Sequence, residues 1–203
     1  MAGWIRRQFD AAGLTQYPAG PALAAVQAGL SGTVILCIDV SGSMSGSLVE
    51  AKKGAKAFIA EALSNGYKVG LLAWSDAVDA GVDPPASADE LDSLLARMSI
   101  AGGTNVVPAL RWSHARLKEL AGDRVVAVFG DGDLGPVTAA KQVAAELVAD
   151  GIRIITMGLG DGSAAALSAI STEIVDQPRV ASSDTLAEDI AGLAAGLKKP
   201  GSP

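Results

Sequence analysis

Residues 33–47 read TVILCIDVSGSMSGS, an apolar run that ends in an aspartate and then in a series of serines and glycines. The first six residues, TVILCI, are apolar or β-branched throughout, which predicts a central strand buried on both faces of a sheet. In open α/β sheets, ligands bind in the crevice at the carboxyl ends of the strands. The serine-rich stretch after this strand is therefore the first candidate for a functional site.

The rest of the chain alternates short apolar runs with longer amphipathic segments. Strands are predicted at residues 33–38, 68–74, 77–82, 124–129, 152–158 and 173–175. Helices are predicted at residues 51–63, 88–98, 107–120, 138–149, 164–171 and 185–197. This alternation is typical of a doubly wound α/β fold, in which helices cover both faces of a mostly parallel sheet. Residues 33–197 are predicted to form one domain, preceded by an extension (1–32) that packs on the domain or binds a partner and followed by a disordered tail (198–203).

Composition narrows the classes of function. The chain has 203 residues, of which 49% are hydrophobic and 19% are charged, as expected for one domain with a sizeable core. Its net charge of −6 argues against a surface for nucleic acid or anionic membranes, because such surfaces depend on clustered lysine and arginine. The pattern of a secretory leader or a membrane span is missing, and the only cysteine, Cys37, lies in the first predicted strand. We therefore expect a cytoplasmic protein.

Three segments supply oxygen ligands at predicted strand ends or in glycine-rich loops. Asp39, Ser41 and Ser43 follow the first strand, and their alternate spacing lets the three side chains converge if the loop curls. Thr104 lies in the loop Gly-Gly-Thr-Asn, and Asp131 directly follows the strand RVVAVFG. If the strands of the two aspartates are neighbours, both carboxylates reach one crevice. Carboxylate and hydroxyl oxygens suit a hard cation such as Mg²⁺ or Mn²⁺.

The combination Asp-x-Ser-x-Ser, Gly-Gly-Thr and Asp-Gly, in this order, closely resembles the metal-ion-dependent adhesion site of von Willebrand factor A domains. The resemblance covers roughly residues 33–197 and implies a complete set of metal ligands, namely Asp39, Ser41, Ser43, Thr104 and Asp131. It also implies one antiparallel edge strand in the sheet, and a cation whose sixth coordination position is supplied by an Asp or Glu of a partner. The chain departs from the family at Gly130, where members commonly carry Thr or Ser beside the aspartate.

The resemblance implies a metal-dependent protein interaction module without catalysis of its own, of the small solitary intracellular type. Such a module is expected to be an accessory or adaptor subunit of a multi-protein system, with an AAA-type ATPase or another protein of the same gene cluster as its partner. The alternative is a metal-assisted hydrolase that uses the same cation to activate water. That alternative lacks an evident general base, since only Asp76 and Asp133 are plausible. The substitution Asp133→Ala would abolish turnover in a hydrolase but leave partner binding through the metal largely intact.

Two other interpretations of the serine-rich loop are weaker. Taken alone, SGSMSGS could form an anion-binding nest, but Asp39 and Asp131 would repel a phosphate unless a cation lay between. A serine hydrolase would carry a Gly-x-Ser-x-Gly turn, which this chain does not contain. Its only histidine, His114, lies in a predicted helix and away from the predicted strand ends.

Overall fold

The computed structural model describes residues 32–132, 134–173 and 177–197. Within these ranges, six strands form one sheet in the order β3-β2-β1-β4-β5-β6. The strands are β1 Thr33–Asp39, β2 Lys68–Trp74, β3 Val78–Val82, β4 Arg124–Gly130, β5 Arg153–Leu159 and β6 Val180–Ala181. β3 runs antiparallel to β2 at one edge, and every other neighbouring pair is parallel. The prediction of a doubly wound, mostly parallel sheet with one antiparallel edge strand is confirmed.

Six α-helices cover the sheet in the described part of the chain. They are α1 Leu48–Ser64, α2 Ala88–Arg97, α3 Val107–Leu117, α4 Val137–Ala149, α5 Asp161–Ser168 and α6 Leu186–Gly192. Buried side chains of α1, α2 and α6 form one core cluster with one face of the sheet, and those of α3, α4 and α5 form a second cluster with the other face. None of the described helices is long and apolar enough to cross a membrane.

β1 occupies the centre of the sheet because its sequence offers no polar face. All seven of its residues are buried, and it pairs in parallel with β2 on one side and with β4 on the other. Ile35 and Cys37 pack in the cluster with α3, α4 and α5, and Asp39 continues that side of the strand. The last residue of the strand therefore brings a carboxyl group to the carboxyl edge of the sheet without exposing it.

Cys37 is a core residue, as its sequence context predicts. Its side chain is 0% exposed, and its Sγ lies 3.6 Å from the Oγ of Ser113 in α3. Burial raises the pKa of the Cys37 thiol to about 12, although the hydrogen bond with Ser113 lowers it. The thiol is therefore protonated and unreactive at neutral pH.

The described chain enters and leaves the domain at the amino edge of the sheet, opposite the carboxyl ends of the parallel strands. The backbone nitrogen of Thr33 donates to the carbonyl oxygen of Asp123 at 2.7 Å. Arg153, the first residue of β5, donates from Nε to the Asp123 carboxylate at 2.9 Å and from Nη1 to the carbonyl oxygen of Gly196 at 3.1 Å. These bonds join the starts of β1 and β5 to the short 3₁₀ helix Leu193–Gly196 that ends the described chain.

Several predicted elements differ from those observed. Helix α1 begins at Leu48 rather than at residue 51, α3 ends at Leu117 rather than at residue 120, and α6 ends at Gly192 and is followed by the 3₁₀ helix Leu193–Gly196. Helix α5 begins at Asp161, three residues before the predicted start at residue 164, because Gly160 ends β5 with a φ of 81° and the helix starts directly after it. The observed edge strand is the two-residue β6 at 180–181, which the sequence pattern missed. The strand predicted at 173–175 falls largely outside the described residues. The proposed extension, except for Gly32, and the tail also lie outside them, so the domain boundaries stay predictions.

Helices α1 and α6 approach closely at Gly54. A Cβ built on this glycine would lie 2.7 Å from the carbonyl oxygen of Ala187 and 2.7 Å from the Cβ of Ile190. We expect Gly54→Ala to lower the free energy of unfolding by about 1–3 kcal/mol, because α6 must move away from α1. Urea denaturation measures this change. Gly192→Ala, where no atom lies within 4 Å of the added Cβ, is the control and should be close to neutral.

Candidate metal centre

The candidate site lies at the carboxyl ends of β1 and β4, which are direct neighbours in the sheet. Asp39 is the last residue of β1, and Asp131 directly follows the last residue of β4. After Ser41 the chain forms a short 3₁₀ helix, Gly42–Gly46, in which the backbone nitrogen of Met44 donates to the carbonyl oxygen of Ser41 at 3.0 Å. The Met44 side chain is 0% exposed and anchors this turn in the core. The loop therefore curls, as the spacing of the serines required.

A chain of short contacts joins four of the five predicted ligands. One oxygen of the Asp39 carboxylate, Oδ1, accepts from the backbone nitrogen of Ser41 at 2.8 Å. The hydroxyl oxygens of Ser41 and Ser43 are 3.1 Å apart, and the Ser43 hydroxyl donates to Oδ1 of Asp131 at 2.7 Å. Ser41 is 1% exposed, whereas Ser43 is exposed and Asp131 is half-buried. The connected oxygens therefore run from the core at Asp39 to the surface at Ser43.

Thr104, the fifth predicted ligand, lies in the loop between α2 and α3. This loop is held against the serine-rich loop that follows β1, because the backbone nitrogen of Gly42 donates to the carbonyl oxygen of Gly102 at 3.3 Å. The Thr104 hydroxyl oxygen lies 3.5 Å from the position of a Cβ built on Gly132, the residue after Asp131. Thr104 is therefore beside the Asp131 loop, although it does not belong to the hydrogen-bonded chain of the other four residues.

The carboxyl group of Asp39 lies in an environment that disfavours its charged form. Its side chain is 0% exposed, and its second oxygen, Oδ2, has no hydrogen-bond partner among the described residues. Burial raises the pKa of Asp39 from 3.8 to about 6; hydrogen bonds from Ser41 lower it, and the negative charge of Asp131 raises it further. A buried carboxylate with an unpaired oxygen, next to a second carboxylate, is costly unless a positive charge is present. Two carboxylates and three hydroxyls are also the oxygen donors that a hard divalent cation takes, so these residues fit such an ion.

Comparisons with known proteins agree with the architecture of the sheet. Residues 34–133 match the family model of the von Willebrand factor type A domain. The fold is that of a von Willebrand factor type A domain. A search of curated proteins finds no match.

Solved structures with this type A fold share little sequence with the chain. The von Willebrand factor domain of the type V pili tip protein Mfa5 from Porphyromonas gingivalis has a TM-score of 0.71 at 12% identity, over 82% of this chain and 94% of that one. Manganese-loaded TRAP from Plasmodium vivax has a TM-score of 0.63 at 16% identity, over 82% and 74%. The pilus adhesin SpaC from Lactobacillus rhamnosus GG, in its open conformation, has a TM-score of 0.69 at 15% identity, over 82% of this chain but only 30% of its own length.

Gly130 is the position at which the sequence departs from the pattern of the family that it resembles. A Cβ built on Gly130 would lie 2.9 Å from Oδ2 of Asp39 and 3.4 Å from Cζ2 of Trp74. Trp74 is 0% exposed and is the residue of β2 aligned with Asp39. The Asp39 carboxylate, and next to it the indole ring, therefore occupy the space that a threonine or serine side chain at position 130 would need. Trp74 ends a predicted apolar strand, but nothing in its local pattern predicts its place beside Asp39.

A further contact at this edge also escaped prediction. Ser163, in the first turn of α5, donates its hydroxyl to the carbonyl oxygen of Asp131 at 2.6 Å and so fixes the loop that carries this aspartate. The only available signal was the segment Gly-Asp-Gly-Ser that follows β5. His114 lies elsewhere, because its Nε2 is 2.6 Å from the Asp150 carboxylate, beyond the end of α4.

The raised pKa of Asp39 predicts that the free energy of unfolding of the chelator-stripped domain depends on pH. A carboxyl with a higher pKa in the folded chain favours folding while it is protonated, so its contribution is present below about pH 4 and is lost as the pH rises through about 6. We expect Asp39→Asn to raise the free energy of unfolding by about 1–3 kcal/mol at pH 7.5 and to have little effect at pH 4. Urea denaturation at both pH values measures the difference. Equal stability of variant and parent at pH 7.5 would contradict the prediction.

Proposed function

We propose that this domain is a metal-dependent protein interaction module. Its ligands are Asp39, Ser41, Ser43, Thr104 and Asp131, the cation is Mg²⁺ or Mn²⁺, and the bound group is an Asp or Glu side chain of a partner protein. The observation that carries the proposal is the unpaired, fully buried oxygen of Asp39 at the inner end of a chain of hydroxyls that reaches Asp131. A cation is the group that would compensate both carboxylates at once.

The composition of the ligand set favours binding of an external anion. Three of the five predicted ligands are neutral hydroxyls, and a dication held mainly by them, with the two carboxylates one water away, would keep enough positive charge at the ion to attract an external carboxylate. Ser43 is exposed and Asp131 is half-buried, so a partner can reach this end of the site from solvent. Asp39, in contrast, is shielded by the sheet and by Trp74, which leaves the outer end of the site as the place of contact.

Interaction is favoured over hydrolysis by the state of the groups that could act as a base. His114, the only histidine of the chain, is paired with Asp150 away from this edge. Asp76 lies close to the site, but its Oδ1 already accepts from the hydroxyl of Ser75 at 3.2 Å and lies against Gly102. Among the similar structures is one named as a pilus adhesin, and its name describes binding. In our proposal the protein is cytoplasmic and serves as an accessory or adaptor subunit, with an AAA-type ATPase or another protein of its gene cluster as partner.

Binding of a carboxylate probe tests the proposal directly. A fluorescent peptide with one aspartate among serines, Ser-Ser-Asp-Ser-Ser, is titrated with the full chain, and anisotropy is measured with Mg²⁺, with Mn²⁺ and with a chelator. We expect binding that needs a metal and that is lost when asparagine replaces the aspartate of the peptide. Equal binding with and without metal, or equal binding of the two peptides, would overturn the proposal.

A further inference from the structure

The acidic groups of this domain are unevenly placed. The carboxyl edge of the sheet consists of the loops at residues 40–47, 75–77, 98–106, 131–136, 160 and 182–185, together with the adjoining ends of the strands and helices. The described residues of these loops include no Lys, Arg or His. Among the described residues, the same edge, with the last residue of β1 and the first residue of α5, carries five carboxylates, namely Asp39, Asp76, Asp131, Asp161 and Asp184. The whole chain, in comparison, has a net charge of −6.

Two basic side chains in helices that adjoin this edge have their hydrogen-bond partners elsewhere. Lys52, in the second turn of α1, donates its Nζ to the carbonyl oxygen of Ala96 at 3.3 Å. Arg97, the last residue of α2, turns back along its own helix and donates its Nε to the carbonyl oxygen of Ser93 at 3.2 Å. Both cations therefore interact with helix α2 rather than with the aspartates of the edge.

Two exposed aspartates flank the candidate metal centre on opposite sides. Asp76 follows β2, and its carboxylate would overlap a Cβ built on Gly102, so it lies against the loop that contacts Gly42. Asp161 begins α5, two residues before the serine that holds the Asp131 loop. β2 and β5 lie on either side of the β1–β4 pair, three strand spacings apart, which is about 14 Å. Each flanking charge is therefore within about one Debye length of the centre at physiological ionic strength, roughly 8 Å.

This arrangement constrains any partner that brings a carboxylate to the metal. Counted over the described residues alone, the five carboxylates and one dication have a formal charge of −3, because −5 and +2 sum to −3. Acidic residues beside the partner's carboxylate would meet Asp76 and Asp161 and be repelled. Basic residues in the same places would be attracted. The charges beside the partner's carboxylate therefore contribute to the choice of partner as much as the carboxylate itself does.

We propose that the partner presents its carboxylate between basic residues, as a Lys/Arg-x-Asp/Glu-x-Lys/Arg segment in extended conformation. This inference rests on the proposed function, since it specifies the surroundings of the carboxylate that the metal binds. In an extended segment the side chains at positions −2, 0 and +2 point to the same side, and each pair spans about 6.6 Å. That spacing is close to the distance of about 7 Å between each of the strands that precede the flanking aspartates, β2 and β5, and the midpoint between them.

Four peptides and two matched variants test the inference with the full chain. The peptides have the centres Lys-Ser-Asp-Ser-Lys, Ser-Ser-Asp-Ser-Ser, Glu-Ser-Asp-Ser-Glu and Lys-Ser-Asn-Ser-Lys. Fluorescence anisotropy is measured with Mg²⁺ at about 50 mM and about 500 mM NaCl, because interactions between exposed charges are much more strongly screened at the higher salt concentration. We expect the first peptide to bind roughly 5–20-fold more tightly than the second at low salt and less than about 3-fold more tightly at high salt. The third should bind more weakly than the second.

Asp76→Asn with Asp161→Asn removes the two flanking charges, and Glu61→Gln with Glu119→Gln removes two charges elsewhere. The first double variant should bind the lysine and serine peptides with nearly equal affinity, whereas the second should keep the preference of the parent. Equal binding of the lysine and serine peptides to the parent would overturn the inference and leave the proposed function standing. Metal-independent binding of the asparagine peptide as tight as that of its aspartate counterpart would overturn the inference as a statement about the metal-bound carboxylate. Failure of all aspartate peptides to bind in the presence of metal would instead contradict the proposed function.

Discussion

Replacement of both Asp39 and Ser41 by alanine is expected to abolish the binding of Mg²⁺ and Mn²⁺ to the chelator-stripped domain. The double variant removes the only buried carboxylate of the site and the hydroxyl that lies 3.1 Å from that of Ser43. Loss of groups that merely orient metal ligands costs about 10–100-fold in affinity, so loss of two ligands should exceed about 100-fold. Calorimetric titration of each metal measures the effect, and circular dichroism verifies that the variant is folded.

The matched control for the metal titration removes the same kinds of groups from the same edge. Asp184→Asn with Ser45→Ala takes away one carboxylate and one hydroxyl but none of the five predicted ligands, so binding near one ion per chain should persist. Retention of this stoichiometry by the Asp39 and Ser41 double variant would refute the ligand assignment. If the intact protein takes up no metal, the titration is repeated with acetate, because an external carboxylate completes the site in the proposed function. Absence of uptake with acetate would refute the metal centre itself.

Gly158→Ala is expected to have the largest effect on stability among the glycine substitutions. A Cβ built on this residue of β5 would overlap the backbone nitrogen of Ala164 and the carbonyl carbon of Ser163 in the first turn of α5. Backbone atoms cannot rotate away as a side chain can, so the helix must move as a unit. We expect the free energy of unfolding to fall by about 2–4 kcal/mol, measured by urea denaturation.

The same substitution should also weaken the metal centre. Movement of α5 takes the Ser163 hydroxyl away from the carbonyl oxygen of Asp131, so the loop carrying this ligand loses its support. Gly162→Ala is the control, because it adds the same methyl group to the same helix with no atom within 4 Å. Its effect should stay within about 0.5 kcal/mol. Similar stabilities of the two alanine variants would show that α5 adapts at Gly158 without strain.

The sequence predicts most of this fold because the parallel strands are buried on both faces. Such strands are unbroken apolar runs, and β1, β2 and β4 were therefore located to within one residue. The prediction was wrong where the structure depends on something other than an apolar run or the periodic spacing of apolar residues. The start of α5 is decided by the backbone turn at Gly160, and β6 has only two residues, too few for any pattern.

The candidate site could be predicted only in part from local sequence. The position of Asp39 and Asp131 at strand ends follows from the apolar runs before them, but the adjacency of β1 and β4 does not, and the sequence analysis could state it only as a condition. The serines were predicted to converge if the loop curled, and the burial of Met44 is what makes it curl. The fit of Trp74 beside Gly130 depends on two residues 56 positions apart in sequence, 130 minus 74, that meet only in the folded sheet.

The position of residues 32 and 197, between which the domain is described, relative to the candidate metal centre affects how the domain can be tethered. Residues 32 and 197 both lie at the amino edge, joined through Asp123 and Arg153, with only two strand spacings, about 10 Å, between the strands concerned. A force applied at residues 32 and 197 would act on β1, β5 and the 3₁₀ helix Leu193–Gly196. It would not act directly on the loops at the carboxyl edge of the sheet. The domain can therefore be attached at either end to a surface, a fusion protein or a larger assembly while its acidic pole faces outward.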